Sequence, residues 1–214
     1  MKTLVEDFKR DIDFLVGRIS NDLNEKGIKE IFRLRNRLID LKKRRVVNTA
    51  HSVMELIVAR HLIKRGYRIE VEHSLNSISC DVYGLKGLGN IIVEIETGYV
   101  PPHHALEPQR YLRARISSKI ARYSNYCSRF VIGIPPYYLM PLEKIFLIPP
   151  RERTLSDLKK IKELCDIYYT SPPVSTEEIK NARIHSIYII DVDKLYIEEM
   201  DPETYYLTKL KKSD

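Results

Sequence analysis

Asp81, Glu94 and Glu96 are the residues of this chain whose types and spacing point most directly to chemistry. Asp81 and Glu94 flank a glycine-rich stretch, Gly84 to Asn90, whose centre falls between Gly87 and Leu88. In a hairpin symmetric about that centre, Asp81 stands opposite Glu94. Directly opposed residues of antiparallel strands have Cα atoms ~4.5 to 5.5 Å apart and side chains on the same face. Two carboxylates so placed repel each other unless a cation or a shared proton intervenes. Alternation along the second strand adds Glu96 to that face and turns Ile91, Val93 and Ile95 to the other. An all-oxygen donor set suits Mg²⁺ or Mn²⁺ rather than zinc. Cys80, Cys127 and Cys165 are an odd number with wide spacing, which argues against a disulfide framework and a structural zinc site.

Basic residues form the second constellation. Arg115, Lys119 and Arg122 are spaced by four and three, so a helix over Pro108 to about Tyr126 places them on one face. The run Lys42-Lys43-Arg44-Arg45 would clamp a phosphate backbone, or end a helix favourably through its dipole. Tyr111, Tyr123 and Tyr126 alternate with arginines and would stack on bases or pack against a sheet. His103-His104 read as a solvated loop, and His51 as a helix-surface residue one turn before Glu55. The net charge of +7 is unevenly spread. Residues 1–150 carry 25 Lys/Arg against 16 Asp/Glu, a net of +9, and residues 151–214 carry 11 against 13, a net of −2. A polyanion such as DNA would be drawn to the basic part.

Asp81, twelve intervening residues and then Glu94-Ile95-Glu96 resemble the D-x(n)-(D/E)-x-K signature of the PD-(D/E)XK nucleases. The resemblance covers about residues 48–135 and includes the order of elements. It extends to the archaeal Holliday junction resolvases and to small nucleases of spindle-shaped viruses of hyperthermophilic archaea. It implies a restriction-endonuclease-like α/β fold and Mg²⁺-dependent (or Mn²⁺-dependent) endonucleolytic hydrolysis of DNA, branched DNA included, by a homodimer. On this resemblance Asp81, Glu94 and the backbone carbonyl of Ile95 would hold the metal, and Glu55 of the preceding helix would join the acids. Two departures stand out: Cys80 precedes Asp81 where the signature has proline, and Glu96 takes the place of the lysine. Glu96 would then hold a second ion or orient the attacking water, and Lys119 would supply the missing positive charge. The rival expectation is a non-catalytic nucleic-acid-binding or assembly protein that keeps the fold.

The elements that must position these residues follow from periodicity. Val5, Phe8, Ile12, Leu15 and Ile19 predict an amphipathic helix over 3–23, and Ile28, Ile31, Leu34, Leu38 and Leu41 a second to about 45. Asn48 or Thr49 caps a third helix that Gly66 ends. Strands are predicted at Tyr67–Glu72, Ser79–Tyr83, Ile91–Thr97 and Arg129–Ile134, giving an α-β-β-β-α-β order in a mixed layered α/β core. Beyond it, Glu143–Ile148 and Ser186–Ile190 read as strands with a helix from about Thr154 to Leu164 between them. The chain accordingly divides into an N-terminal helical extension (1–46) that offers a dimer interface, a core (47–150) and a C-terminal α/β extension (151–214). Charged residues make up 30% of the sequence and Gln109 is the only glutamine, a bias that suits a thermophile. No run approaches the ~18 to 20 apolar residues of a membrane span, and the start turns acidic too soon for a signal peptide, so an intracellular, soluble protein is expected.

Overall fold

A computed structural model describes residues 2–75 and 78–211. Three helices open the chain: α1 (Lys2–Ile19), α2 (Glu25–Lys43) and α3 (Thr49–Lys64). Strands β1 (Arg68–Leu75), β2 (Ile78–Lys86) and β3 (Gly89–Ile95) follow, then α4 (Pro108–Tyr123) and β4 (Arg129–Ile134). Helices α5 (Leu155–Asp166) and α6 (Thr176–Asn181) precede β5 (Ser186–Asp191), β6 (Tyr196–Met200) and α7 (Pro202–Tyr205). The strands form an open mixed sheet in the order β1-β2-β3-β4-β5-β6, so the molecule is α/β with helices flanking the sheet, as the sequence predicts. Among the described residues no helix is long and apolar enough to cross a membrane.

The chain packs as two compact units, Met1–Ile95 with Ile190–Glu198, and Glu96–Ile189 with Glu199–Asp214. In the first, the predicted stripes are buried: Phe8, Ile12, Leu15 and Ile19 on α1, and Ile31, Leu34 and Leu38 on α2. Both α2 and α3 begin at an asparagine whose side chain accepts from a backbone N–H, Asn24 from Gly27 (2.9 Å) and Asn48 from His51 (3.0 Å). Helix α3 ends at Gly66, whose φ of +84° is costly for any residue with a Cβ. Little of α3 between Ser52 and Leu62 reaches solvent, which is why its amphipathic pattern is weak in the sequence. The β2–β3 register is the symmetric one, with Val82 opposite Val93 and Lys86 opposite Gly89. The turn is tighter than expected, only Gly87-Leu88, and Gly84 lies inside β2. A Cβ on Gly84 would meet Ile91 Cγ2 at 2.8 Å. From Ile91 to Ile95 every residue of β3 is buried, so this strand is covered on both faces and not split into an apolar and an acidic one.

In the second unit β4 and β5 pair in parallel, Val131 with Ser186 through Ile134 with Ile189. A parallel pair needs a long crossover, and the segment carrying α5 and α6 supplies it. Arg153 binds this crossover together. It is only 8% exposed and donates to the carbonyls of Ile148, Ile179, Lys180 and Ala182. The predicted strand at Glu143–Ile148 is instead a 3-10 turn, Lys144–Leu147. Ile145 and Phe146 are adjacent yet both buried, which a tight turn permits and a strand with one covered face does not. Strand β6 escapes sequence reading because only Ile197 within it is buried, leaving no alternation to detect.

Candidate functional site

In the first unit, four carboxylates converge. Asp81 on β2 and Glu94 on β3 continue the β2–β3 register just beyond its last ladder pair, Val82 with Val93. There the side chains replace the ladder. The Asp81 N–H donates to Glu94 Oε1 (3.0 Å), and the Ile95 N–H donates to Asp81 Oδ2 (2.6 Å). Glu94 is 2% exposed and Asp81 partly open. On β1 the register runs from Val71 opposite Val82 to His73 opposite Cys80, so the position between them sets Glu72 across from Asp81. Glu72, Asp81 and Glu94 thus form one row over three strands.

Glu72 was not singled out from the sequence, although the same symmetry argument applied to the β1–β2 hairpin would have found it. Its backbone is also exceptional. A φ of +46° is a conformation that side chains with a Cβ rarely adopt, and it interrupts the ladder at this row. Arg37 of α2 holds the distortion by donating to the carbonyls of Val71 (2.8 Å) and Glu72 (2.9 Å).

Glu55 enters from α3, where it is fully buried, and neither of its carboxylate oxygens has a hydrogen-bond partner. Burial in apolar surroundings, followed by the charges of Asp81, Glu72 and Glu94, pushes its carboxyl well above the usual range. The chemistry of the group is that of hard oxygen donors with mutual repulsion to relieve. Among the described residues, however, no three His, Cys, Asp or Glu side chains are grouped as a ready coordination sphere. In donor type and charge these residues are nonetheless of the kind a divalent cation takes, and neither oxygen of Glu55 has a hydrogen-bond partner.

Glu96 opens the second unit, and its surroundings are basic. Its carboxylate, 1% exposed, accepts from Lys119 Nζ (2.6 Å) and Arg115 Nε (3.0 Å) on α4. Burial works to raise its pKa, but the two cations outweigh burial and leave it lowered. Arg115 is raised in return, Glu96 overcoming the opposing effect of burial. Glu96 is thus held in a charge triad with Arg115 and Lys119 through Oε1, while its buried Oε2 has no hydrogen-bond partner. Tyr138 packs beside it with its hydroxyl pKa raised, first by burial and then by Glu96.

The remaining candidates separate by surroundings. Arg122 does not share in the triad; it donates to the Pro172 carbonyl and lies over the Tyr169 ring. The α4 face read as a basic strip is thus occupied by internal contacts. Lys43, Arg44 and Arg45 are exposed at the end of α2, with Lys43 paired to Asp40 (2.9 Å), while Lys42 lies over the Phe8 ring. His104 stacks on Tyr111 with ring centroids 4.4 Å apart and meets Tyr168 edge-on, so it is less solvated than its loop position suggests. Tyr123 packs on Phe130, and Tyr126 is exposed.

No protein-family model, characterised protein or solved structure matches this chain. The functional reading therefore rests on the site itself.

Proposed function

We propose that this protein is a metal-dependent nuclease of restriction-endonuclease-like fold that hydrolyses phosphodiester bonds in DNA. The observation that carries the reading is the row Glu72–Asp81–Glu94 with the partnerless, buried carboxyl of Glu55 beside it. Such a concentration of acids in the interior is destabilising by itself, and retaining it makes physical sense where a cation binds. Asp81, Glu94 and Glu55 would hold Mg²⁺ or Mn²⁺, with the Ile95 carbonyl a further donor. Bound there, the ion would supply a lowered pKa for water and neutralise charge on a phosphate oxygen. The protein's own part is to hold the acids in register and to keep Glu55 protonated until a cation competes for it. The strained backbone of Glu72, held by Arg37, fixes one end of the row. The exposed Lys43, Arg44 and Arg45 supply non-specific attraction for a phosphate backbone. Branched DNA as substrate and a homodimer belong to the same reading.

A second reading is favoured by the hydrogen bonds of the row itself. Asp81 and Glu94 both accept from backbone N–H groups, so they can serve to close the ladder without any metal, in a protein that binds nucleic acid and does not cut it. Incubating the full chain with single-stranded, duplex and four-way DNA, each with Mg²⁺, Mn²⁺ or a chelator, separates the two. The nuclease reading expects metal-dependent cleavage that falls at least about 100-fold in Asp81→Asn, in line with loss of a charge-stabilising group. Absence of cleavage under every metal selects the binding protein.

A further inference from the structure

The first unit holds a cavity of about 560 Å³ that the acidic row does not use. It lies against α3 and the β5–β6 turn, and its size falls in the ~300 to 1,000 Å³ range of small-molecule sites. Arg60, Lys64, Arg65 and Lys194 line it together with His61, and no described lining residue is acidic. The rest of the lining is Ile57, Leu195 and Ile197, with Tyr196 60% exposed beside them.

Three of the cations already have carboxylate partners, Lys194 pairing with Asp191 (3.0 Å). Arg60 pairs with Asp22 while donating to the Leu195 carbonyl (2.8 Å), and Lys64 reaches the same aspartate (2.8 Å). That carbonyl belongs to a leucine at φ +51°, a strained conformation that Arg60 helps to hold open. Strain, preset cations and apolar residues with an exposed ring are the parts of a clamp for a phosphate attached to a flat, partly apolar group. Helix α3 serves both this cavity and the acidic row. A turn of 3.6 residues puts Arg60 about 140° around the helix from Glu55, so the two address different ligands.

We propose that this cavity binds a nucleotide, its phosphate on Arg60, Arg65 and Lys194 and its base against Tyr196. The source is a free mononucleotide or the terminal nucleotide of a strand, which share this chemistry. Isothermal titration of the full chain at low salt, with adenosine 5′-monophosphate, inorganic phosphate, adenosine and a 5′-phosphorylated tetranucleotide, tests it. The monophosphate should bind saturably and adenosine at least tenfold more weakly. Arg65→Ala and Lys194→Ala, both away from the Asp22 pairs, should each weaken the monophosphate about tenfold without altering the circular dichroism spectrum. Tyr196→Ala should weaken the monophosphate and leave inorganic phosphate unchanged. Tighter binding of the tetranucleotide identifies a strand end, and its exclusion a free nucleotide. Asp81→Asn should bind the monophosphate like wild type, so the result stands apart from the outcome of any cleavage assay. The proposal is overturned by the absence of saturable binding, by binding that survives the Arg65→Ala/Lys194→Ala double variant, or by phosphate binding as tightly as the monophosphate.

Discussion

Replacing Glu55 by Gln keeps the shape of the side chain and removes its ability to ionise, so the variant isolates what the buried carboxyl does to stability. Glu55 is fully buried with no partner for either oxygen, and burial, then Asp81, Glu72 and Glu94, hold its pKa well above the usual range. A carboxyl whose folded pKa is raised favours the folded state while both states are protonated, and that advantage drains away as pH rises. Below the unfolded value near 4.5 the wild type and Glu55→Gln should therefore differ little. Above it the unfolded chain releases the proton and the folded one keeps it, so the wild type loses stability until pH passes the folded pKa. For one proton the slope is at most about 1.4 kcal/mol per pH unit. Glu55→Gln should thus gain on the wild type as pH rises from 5 towards 7, at no more than that slope. At roughly 2 to 4 °C per kcal/mol for a chain of this size, that slope is a Tm difference of at most a few degrees per pH unit. Thermal melts followed by circular dichroism at pH 4, 5, 6, 7 and 8 read it directly. Millimolar Mg²⁺ at pH 7 should raise the wild-type Tm and leave Glu55→Gln nearly unmoved, because a ligand stabilises only the state that binds it. Parallel Tm curves for the two proteins across the pH range would refute the reasoning, since they would mean that Glu55 ionises as freely folded as unfolded.

Three further outcomes follow from the same structure. Lys119→Met should destabilise the second unit by about 1 to 3 kcal/mol, and by much less in a Glu96→Gln background, because the lysine's partner is then already neutral; equal costs in both backgrounds would uncouple the pair. A Lys119→Met protein that is folded at the assay temperature yet cleaves no DNA would assign the lysine a part in the reaction as well as in the triad. Arg153→Met strands four carbonyl acceptors near α6 and should cost at least about 3 kcal/mol by urea denaturation, whereas a cost under 1 kcal/mol would show that water replaces the guanidinium. Gly84→Ala, with Ile91 Cγ2 at 2.8 Å from the new methyl and Ile69 Cδ1 at 3.1 Å, should cost about 1 to 3 kcal/mol by overpacking; a neutral result would mean that both isoleucines can turn aside.

Several features of this molecule follow from the sequence alone because their causes are local. Two strands joined by Gly87 have one register that keeps their apolar residues paired, so Asp81 facing Glu94 follows from counting residues about the turn. The helices of the first unit follow equally from 3–4 spacing, asparagine caps and Gly66, each acting within a few residues. What only the tertiary structure decides is the state of each charge. Glu55 looks like any helix glutamate, and its burial without a partner arises from how α3 meets the sheet. Glu96 alternates with Glu94 along the chain, yet Lys119 and Arg115, distant in sequence, make it the centre of an ion triad. Glu72 faces Asp81 by the same counting, but Arg37 of α2 donating to the carbonyl of its left-handed backbone is a tertiary contact. The reason is common to all three: register is set by short-range geometry, but the energy of a charge is set by the solvent it loses and the distant charges it gains, and neither is written in the residues beside it.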